Sequence, residues 1–223
     1  MIRQKGIFIS ILNQGTLRKE NAHLVASFIQ NDRYKINIDY PQEKPIEHNR
    51  NKIVQRFLGF KNFDYLLMID DDVTPPYNIL DLADFQLDIV TPVMFTRQKK
   101  EVVPLVTKRN KDGKYVTMNL KDLDGLVEAD ATGTGCMLIK REVLENPKMK
   151  YPFKNYYDAD GIKTTGLDFN FCTRAKELGY KVYVHTDYVA GHIVDIDLKD
   201  IYEKDIHIKL LQEELIKLRE KQK

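Results

Sequence analysis

The sequence predicts an α/β protein with a Rossmann-like, mixed but mostly parallel central sheet flanked by helices. Strand and helix patterns alternate through the first half of the chain, and strands in this arrangement usually pair in parallel. The segment Tyr65–Ile69 is continuously apolar, as in a strand that is covered on both faces. A charged amphipathic helix pattern closes the chain from Leu198 onward. Together these observations favour one α/β domain followed by a carboxyl-terminal helix.

The first half supplies four strand patterns and two helix patterns. Thr16 is expected to cap the first helix, because a threonine side chain can accept a hydrogen bond from the first turn. Ligands of such sheets bind beyond the carboxyl ends of the strands, so the residues that follow each strand are candidates for a site. The predicted strands span Gly6–Leu12, Lys35–Tyr40, Tyr65–Ile69 and Leu87–Phe95, and the helices span Thr16 to about Gln30 and Ile46 to about Phe60.

The second half predicts shorter strands in a less regular order. Asp112-Gly113 indicates a hairpin between the first two of them, and Gly179 ends a helix as a C′ glycine. Tyr151–Thr165 has no periodicity and is expected to be a mobile, functional loop. The predicted strands are Val102–Lys108, Lys114–Asn119, Leu126–Ala129, Cys136–Lys140 and Lys181–His185, and the helices are Arg141–Leu144 and Asp168–Leu178.

The last segment, Leu198–Lys223, is a charged amphipathic helix whose apolar residues have a heptad-like spacing. It is expected to pack on its own domain, with a homodimer contact or a membrane-surface contact as the alternatives. The predicted organisation is a domain over 1–197 and a helix over 198–223. The domain has a nucleotide-binding half at about 1–97 and an acceptor-side half at about 98–197.

Composition excludes several classes of protein. The chain has 223 residues, with 35 Lys and Arg against 33 Asp and Glu, so no global basic field predicts nucleic-acid binding. The amino-terminal apolar run is too short for a signal peptide, and no stretch approaches the roughly 18 apolar residues of a membrane span. Cys136 and Cys172 form no Cys-x-x-Cys pair and are expected to be buried thiols, with a disulfide as the alternative. We therefore expect a cytoplasmic protein, with peripheral membrane contact left open.

Three adjacent carboxylates, Asp70, Asp71 and Asp72, follow the third strand. Adjacent negative charges repel one another, and a bound cation relieves that cost. Carboxylate oxygens suit Mg²⁺ or Mn²⁺, which typically bridge protein carboxylates to substrate phosphates. A solvated acidic turn is the alternative. The buried strand before the run and Thr74-Pro75-Pro76 after it favour a metal site.

Two later patterns supply acid–base and metal-binding groups. Asp168 lies where a helix starts after a loop, so it is either a helix cap or a general base. Gly191-His192 follows the last strand, and an imidazole can complete a carboxylate metal shell. The glycine would allow close approach of a ligand. A lone histidine is more often structural.

Two earlier patterns point to ligand contacts. Gly133, Thr134 and Gly135 precede a strand, where two glycines leave room for a sugar or simply form a tight turn. The segment lacks the Gly-Lys-Ser/Thr ending of a phosphate-binding P-loop. Arg50 lies early in a helix, where the helix dipole does not favour a cation. An anionic ligand would explain it, with a surface salt bridge as the alternative.

In this order and at these spacings, the five patterns resemble the GT-A glycosyltransferases, most closely the family 2-like group, from Ile7 to about Ile193. The resemblance implies a metal-dependent enzyme that uses Mn²⁺ or Mg²⁺. It would transfer a sugar, with inversion, from a nucleotide-diphosphate sugar to a hydroxyl of a glycan or other acceptor. UDP is the carrier that the resemblance implies first, and GDP and dTDP are the alternatives.

The resemblance assigns a role to each pattern. Asp70 and Asp72 match the Asp-x-Asp motif that holds the cation and the nucleotide sugar, and His192 matches a late histidine that often ligates the metal. We expect Asp72 to bind the cation directly and Asp70 to support the metal or the ribose. Asp71 is also assigned to nucleotide-sugar binding, with the weakest match.

The other motifs match the nucleotide and acceptor regions of the family. Arg50-Asn51 corresponds to an Arg-Asn segment near the nucleotide, and Gly133–Gly135 corresponds to a Gly-rich stretch near the donor sugar and the acceptor. Asp168 has the position usually assigned to the catalytic base, although the preceding family Glu is Leu167 here. From fold position alone, the nucleotide base is expected near Leu12, Asn13 and Asp39.

Three other readings compete with this one. A nucleotidyltransferase would need a Gly-rich, Arg-containing signature after the first strand, and the residues that follow Leu12 are too sparse for it. A Rossmann dehydrogenase would need G-x-G-x-x-G at the same place. A non-catalytic GT-A-like module that binds a nucleotide is the remaining alternative, and Leu167 favours it.

Overall fold

The computed structural model describes residues 3–13, 15–98 and 101–221. By contacts the chain divides into two compact units, of which the first ends at His192 and the second begins at Ile193. The first unit carries the central sheet, and the second carries the last helix.

The described residues of the first unit form four α-helices, three short 3₁₀ helices and a series of strands. The helices are α1 (Lys19–Ile29), α2 (Ile46–Gly59), α3 (Arg141–Glu145) and α4 (Leu167–Glu177). The strands of the amino-terminal part are β1 (Gly6–Leu12), β2 (Lys35–Asp39), β3 (Tyr65–Asp70), β4 (Val73–Thr74), β5 (Ile89–Val93) and β6 (Phe95–Gln98). They are followed by β7 (Glu101–Pro104), β8 (Val106–Arg109), β9 (Tyr115–Thr117), β10 (Leu126–Ala129), β11 (Ala131–Thr132) and β12 (Cys136–Lys140). The last are β13 (Tyr156–Tyr157), β14 (Lys163–Thr165), β15 (Val182–Val189) and β16 (Gly191–His192).

Seven of the described strands form the central sheet, in the order β10-β15-β5-β12-β3-β1-β2. Strands β2, β1, β3, β5 and β15 run in one direction, whereas β12 and β10 run in the other. The sheet is therefore mixed and mostly parallel, with helices on its faces. This architecture confirms the predicted fold class.

The sheet has a hydrophobic core on each face, and β3 contributes to both. Leu66 and Met68 pack in one core with residues of α2 and α4, whereas Leu67 and Ile69 pack in the other with residues of α1. Successive side chains of a strand point to opposite faces, so burying both sets requires the continuous apolar run that the sequence contains. Burial of each such side chain contributes roughly 1.5–3 kcal/mol.

Two predicted strands near the acidic run differ from the observed ones. Strand β3 includes Asp70, because its N–H donates to the Gly135 carbonyl at 2.8 Å and it pairs with Leu12. The predicted strand over residues 87–95 is instead two strands, β5 and β6, interrupted at Met94. Strand β12 also inserts between β3 and β5, antiparallel to both, an order that periodicity cannot reveal.

Several segments of the second half are more ordered than predicted. The predicted strand over 102–108 divides at Leu105, because β7 pairs with β6 while β8 pairs with β9 and β11. The β8–β9 hairpin is confirmed, and Gly113 in its turn has φ +76°, which glycine adopts without steric cost. Tyr151–Thr165 is not a loop throughout, because β13 and β14 pair in an antiparallel hairpin.

The observed bounds of two helices and one strand differ from the predicted ones. Helix α1 begins at Lys19 rather than Thr16, because Asn13 and Gly15 form a turn in which the Gly15 N–H donates to Asn13 Oδ1 at 2.9 Å. Helix α4 begins one residue earlier than predicted, and β15 extends four residues beyond His185. Gly179 has φ +89° directly after α4 and Leu178, as expected of a C′ glycine.

The second unit consists of a short lead segment and α5 (Leu198–Lys221). The predicted carboxyl-terminal helix is therefore confirmed up to Lys221, and residues 222–223 lie outside the described residues. Its apolar side chains, among them Leu198, Ile208 and Leu215, are exposed. Among the described helices, none combines the length and apolarity needed to cross a bilayer.

Candidate functional site

The acidic run lies where β3 ends in the middle of the central sheet. Asp70 is the last residue of the strand, and its side chain is 27% exposed. The buried Asn21 of α1 holds the following turn, because its Nδ2 donates to the Asp71 carbonyl at 2.9 Å. The backbone of the run is thus fixed by a neighbouring strand and by a helix.

Arg50 of α2 forms a buried ion pair with Asp70. Its Nη2 lies 2.9 Å from Oδ1 and 2.8 Å from Oδ2 of Asp70, and its side chain is only 4% exposed. A guanidinium that is so enclosed needs a carboxylate partner. Arg50 therefore neutralises Asp70 in a buried ion pair and does not form a surface salt bridge. A contact of Arg50 with an anionic ligand stays a prediction.

The environment of Asp70 pushes its pKa in opposite directions. Burial raises the pKa of Asp70, the charge of Arg50 opposes this effect, and the nearby carboxylates of Asp168 and Asp72 add to the rise. The net direction is upward from the usual value of 3.8. Carboxylates from three sequence positions thus influence one another, although the chain separates Asp168 from the acidic run by almost a hundred residues.

Thr134 joins this ion pair to Asp168. Its carbonyl accepts a hydrogen bond from Arg50 Nη1 at 3.4 Å, and its hydroxyl donates to Asp168 Oδ1 at 2.5 Å. Thr134 is fully buried, whereas Asp168 is partly exposed in the first turn of α4. We call the connected set of Asp70, Arg50, Thr134 and Asp168 the inner half of the site.

The glycines on either side of Thr134 are explained by packing. A Cβ on Gly135 would lie 3.0 Å from Val73 Cγ2 and 3.4 Å from Asp70 Oδ2. A Cβ on Gly133 would lie 3.0 Å from Leu105 Cδ1. A side chain at either position would be tightly packed, and its neighbours would have to shift by a few tenths of an ångström. A contact of these glycines with a sugar stays a prediction.

Asp72 and His192 face each other at the edge of the same region. His192 Nε2 lies 3.6 Å from Asp72 Oδ2, and their side chains are 27% and 41% exposed respectively. The His192 Nδ1 lies 3.0 Å from the Phe95 carbonyl, which can only accept, so this nitrogen carries the proton. Nε2 is the ring nitrogen that faces Asp72. We call this pair the outer half of the site.

The outer half fits a divalent cation. Two ligands that each lie about 2.1 Å from one ion can be up to about 4.2 Å apart, so the observed separation leaves room for an ion between them. A carbonyl that fixes the tautomer of a histidine is the usual outer partner of a metal ligand. Asp72 and His192 would hold Mn²⁺ or Mg²⁺, with substrate oxygens completing the shell.

The described residues do not assemble a closed metal cage. Within residues 3–13, 15–98 and 101–221, no group of three or more His, Cys, Asp or Glu side chains is arranged to hold a metal ion. Asp70 therefore does not form a three-ligand group with Asp72 and His192. Gly191 beside the histidine is explained by strand pairing, because a Cβ there would lie 2.3 Å from Thr74 Oγ1 of β4.

A cavity of about 660 Å³ opens next to the acidic run. Its lining includes four residues that the sequence assigned to the nucleotide or its sugar: Leu12, Asn13, Asp70 and Asp71. Asp39 is not among the lining residues, and its Oδ2 instead accepts from Arg56 Nη1 at 3.0 Å. The volume is in the range of ligand pockets for small molecules.

The sequence interpretation missed the β2–α2 connection as a wall of this cavity. Glu43 has one oxygen bound to Arg56 at 2.5 Å, and its Oε2 is buried without a hydrogen-bond partner among the described residues. Asn49 Oδ1 is unpaired in the same sense. Pro41 and Pro45 flank this connection, and a Pro-bounded segment after a parallel strand could have signalled it. The missed lining residues are Gln42, Glu43, Lys44, Pro45, Ile46 and Asn49.

Leu167 and Asn51 serve the fold around Asp168. Leu167 is 8% exposed and packs in the core with Phe171, so its side chain serves packing. Asn51 donates to the Phe153 carbonyl at 2.7 Å and accepts from the Phe153 N–H at 3.1 Å. Asn155 Oδ1 accepts from the Leu167 N–H at 3.0 Å. These bonds anchor the β13–β14 hairpin directly before Asp168.

Comparison with known proteins gives likeness in structure only. No family model matches the chain, and no curated protein matches it in sequence. The crystal structure of A197 from STIV is 22% identical and covers 86% of each chain with a TM-score of 0.53. The crystal structure of GalNAc-T7 with UDP, GalNAc and Mn2+ is 11% identical, with a TM-score of 0.49. The match covers 86% of this chain and 44% of the GalNAc-T7 chain.

A third solved structure is a glycosyltransferase involved in the glycosylation of the major capsid of PBCV-1. It is 14% identical, covers 87% of this chain and 97% of its own, and has a TM-score of 0.46. The likeness to A197 supports the fold alone. The roles of the site residues therefore depend on the geometry of the site.

Proposed function

We propose that this chain is a divalent-cation-dependent glycosyltransferase, which transfers a sugar from a nucleotide-diphosphate sugar to an acceptor hydroxyl. The observation that carries the proposal is Thr134, whose two oxygens connect the Arg50–Asp70 ion pair to Asp168. This connection holds a carboxylate of α4 near the end of β3, where Asp70 also lines a cavity large enough for a nucleoside.

The donor would occupy the cavity with its nucleoside between β1 and the β2–α2 connection. Asn13, Glu43 and Asn49 contribute polar groups there, which suits a ligand with hydrogen-bonding edges. The diphosphate would extend toward Asp72 and His192. UDP is the first candidate for the carrier, and GDP and dTDP are the others.

A cation bound by Asp72 and His192 would neutralise charge on the diphosphate leaving group. The inner half would have a separate task. Because Arg50 already compensates Asp70, the carboxylate that remains available for proton transfer is Asp168. Its Oδ1 is held by Thr134, so the side chain is oriented before any acceptor binds.

Asp168 would take the proton of the acceptor hydroxyl as that oxygen attacks the anomeric carbon. The carbon–oxygen bond to the diphosphate breaks as the new glycosidic bond forms, and attack from the opposite face inverts the centre. The β13–β14 hairpin precedes Asp168 and exposes Tyr156, Tyr157 and Ile162. We assign it the task of covering the donor and contacting the acceptor.

The products of the reaction test this function. A panel of nucleotide-diphosphate sugars is incubated with Mn²⁺, and release of the nucleotide diphosphate is measured with and without added sugar acceptors. The proposal expects release that depends on Mn²⁺ and increases with an acceptor. Release of pyrophosphate from nucleoside triphosphates would indicate a nucleotidyltransferase instead. Binding without either release would indicate a non-catalytic module.

The role of Asp168 has its own test. Asp168→Asn keeps an oxygen that can accept from Thr134 but cannot take a proton, so we expect turnover to fall by about 100-fold or more. Glu177→Gln changes an exposed carboxylate at the end of the same helix and serves as the control, with unchanged turnover. Full transfer activity in Asp168→Asn would remove Asp168 from the base role.

A further inference from the structure

Strand β2 forms one edge of the central sheet. It pairs with β1 on one side, and no described strand pairs with its other side. The Lys35 N–H donates to the Lys5 carbonyl at 2.9 Å, so the backbone N–H and C=O groups of Lys35 face β1. Backbone direction alternates along a strand, so the backbone groups of Asn37 and Asp39 face β1 as well. The backbone groups of Ile36 and Ile38 consequently point outward, away from the sheet.

The sequence of β2 is complementary to itself. Its residues are Lys35, Ile36, Asn37, Ile38 and Asp39. If a second copy pairs antiparallel with Asn37 opposite its own counterpart, each Lys35 lies opposite an Asp39 and each Ile36 lies opposite an Ile38. Opposite charges and matched apolar residues are favourable cross-strand pairs.

This register also agrees with the direction of the hydrogen bonds. In antiparallel pairing, residues whose polar groups point toward the partner form the hydrogen-bonded pairs. Ile36 and Ile38 are the outward-facing residues, and they meet each other in this register. Pairing about any other residue in the strand interior would lose either the charge match or the Ile36–Ile38 hydrogen bonds.

A groove lined by polar and apolar side chains runs beside the same edge. It has a volume of about 520 Å³, and residues of α1 and β2, among them Ile36 and Ile38, line it. Two other lining residues are exposed, Ile29 at 72% and Tyr40 at 39%. A second copy placed by the two-fold axis would cover these side chains, which extends the contact beyond the strand itself.

We propose that two copies of this chain associate through β2, edge to edge and antiparallel about a two-fold axis at Asn37, which joins two central sheets into one. Such an isologous contact closes on itself and leaves no free copy of the edge. The partner is a second copy rather than an unrelated strand, because Lys35 and Asp39 complement each other across the axis. The inference is independent of the proposed glycosyl transfer.

Cysteine cross-linking of the full chain tests the register. In Asn37→Cys the two introduced thiols would face each other as a non-hydrogen-bonded pair at about 4.5 Å between Cα atoms, within the range of a disulfide. The native Cys136 and Cys172 are buried, so they do not compete. The matched control is Lys35→Cys, whose thiols would be about 14 Å apart along the strands. With oxidised glutathione, we expect covalent dimer from Asn37→Cys and at least about tenfold less from the control.

Sedimentation equilibrium of the unlinked chain tests the charge match. We expect a dimer of the wild-type chain whose Kd rises about tenfold in Lys35→Asp and in Asp39→Lys, and returns to within about threefold when both changes are combined. A chain that stays monomeric up to about 1 mM would overturn the proposal. A dimer that neither cross-links through Asn37→Cys nor responds to the charge exchange would also overturn it.

Discussion

The inner and outer halves of the site contain the same kind of carboxylate in opposite circumstances. Asp70 is bound by a buried guanidinium at 2.8 Å, whereas Asp72, two residues further, is 41% exposed and lies 3.6 Å from Nε2 of His192. In the inner half, the charge of Asp70 is compensated by the protein itself. The outer half is incomplete, and a cation with its substrate would complete it.

This difference separates two tasks that an acidic run combines in sequence. A charge that the fold already neutralises can orient its neighbours at no further cost, because its partners are in place before the ligand arrives. A charge that remains exposed can exchange water for a metal ion. Under the proposed function, the spacing Asp-x-Asp would supply one carboxylate that the fold neutralises and one that binds the cation.

The largest effect is expected from breaking the inner half. In Arg50→Met the carboxylate of Asp70 loses its partner in a partly buried position, so we expect the free energy of unfolding to fall by about 3 kcal/mol in urea at pH 7. Arg56→Met, on the same helix, removes exposed ion pairs to Asp39 and Glu43 and should cost less than about 1 kcal/mol. Equal losses in the two variants would contradict the contrast.

The same variant has a predictable response to pH. The pKa of Asp70 is already raised above 3.8 by burial, and loss of Arg50 raises it further. A carboxyl with a raised pKa in the folded state is most favourable while protonated, and this contribution is lost as the pH rises through that pKa. The deficit of Arg50→Met relative to wild type should therefore shrink when unfolding is measured at pH 5 instead of pH 7. A constant deficit would argue against an unpaired Asp70.

A smaller effect is expected from changing Thr134, which joins the Arg50–Asp70 ion pair to Asp168. Thr134→Val removes the hydroxyl that donates to Asp168 but keeps the volume and the carbonyl that accepts from Arg50. We expect a loss of about 1 kcal/mol in unfolding free energy and a reduced turnover number. Thr134→Ser retains the hydroxyl and should retain turnover. If valine and serine at this position behave alike, Thr134 does not position Asp168.

The smallest effect is expected from the thiols behind the inner half. Burial raises the pKa of Cys172 to about 12, and it also raises the pKa of Cys136, with Asp70 adding to the rise. Both thiols should resist a disulfide reagent at pH 8 in the native chain and react once it is unfolded. Because these pKa values are raised on folding, the thiols favour the folded state below about pH 9 and lose that contribution as the pH rises further. Rapid native labelling would mean that this core opens.

The sequence predicts the amino-terminal half of the fold better than the other half. Strand β3 and helix α2 are recognisable because a buried strand needs a continuous apolar run and a helix needs an apolar face. The position of β12 between β3 and β5 depends on contacts between distant segments, which periodicity does not encode. The division at Leu105 and the β13–β14 hairpin arise in the same way.

The residues of the site were easier to predict than their partners. Asp72 and His192 were identified as candidates from their residue types, and the structure places them side by side. Their metal-binding role stays a prediction. The pairing of Arg50 with Asp70, and the packing reasons for Gly135 and Gly191, required knowledge of which segments approach one another. Glu43 and Asn49 had no motif at all.

Calorimetric titration of UDP into the chain, with and without Mn²⁺, tests the central claim most directly. If Asp72 and His192 hold a cation that binds the diphosphate, Mn²⁺ should strengthen UDP binding at least about tenfold in the wild-type chain, a gain of about 1.4 kcal/mol. His192→Ala should abolish that gain, and His23→Ala, which alters an exposed histidine of α1, should retain it. UDP binding of equal strength with and without Mn²⁺ in all three chains would contradict the account.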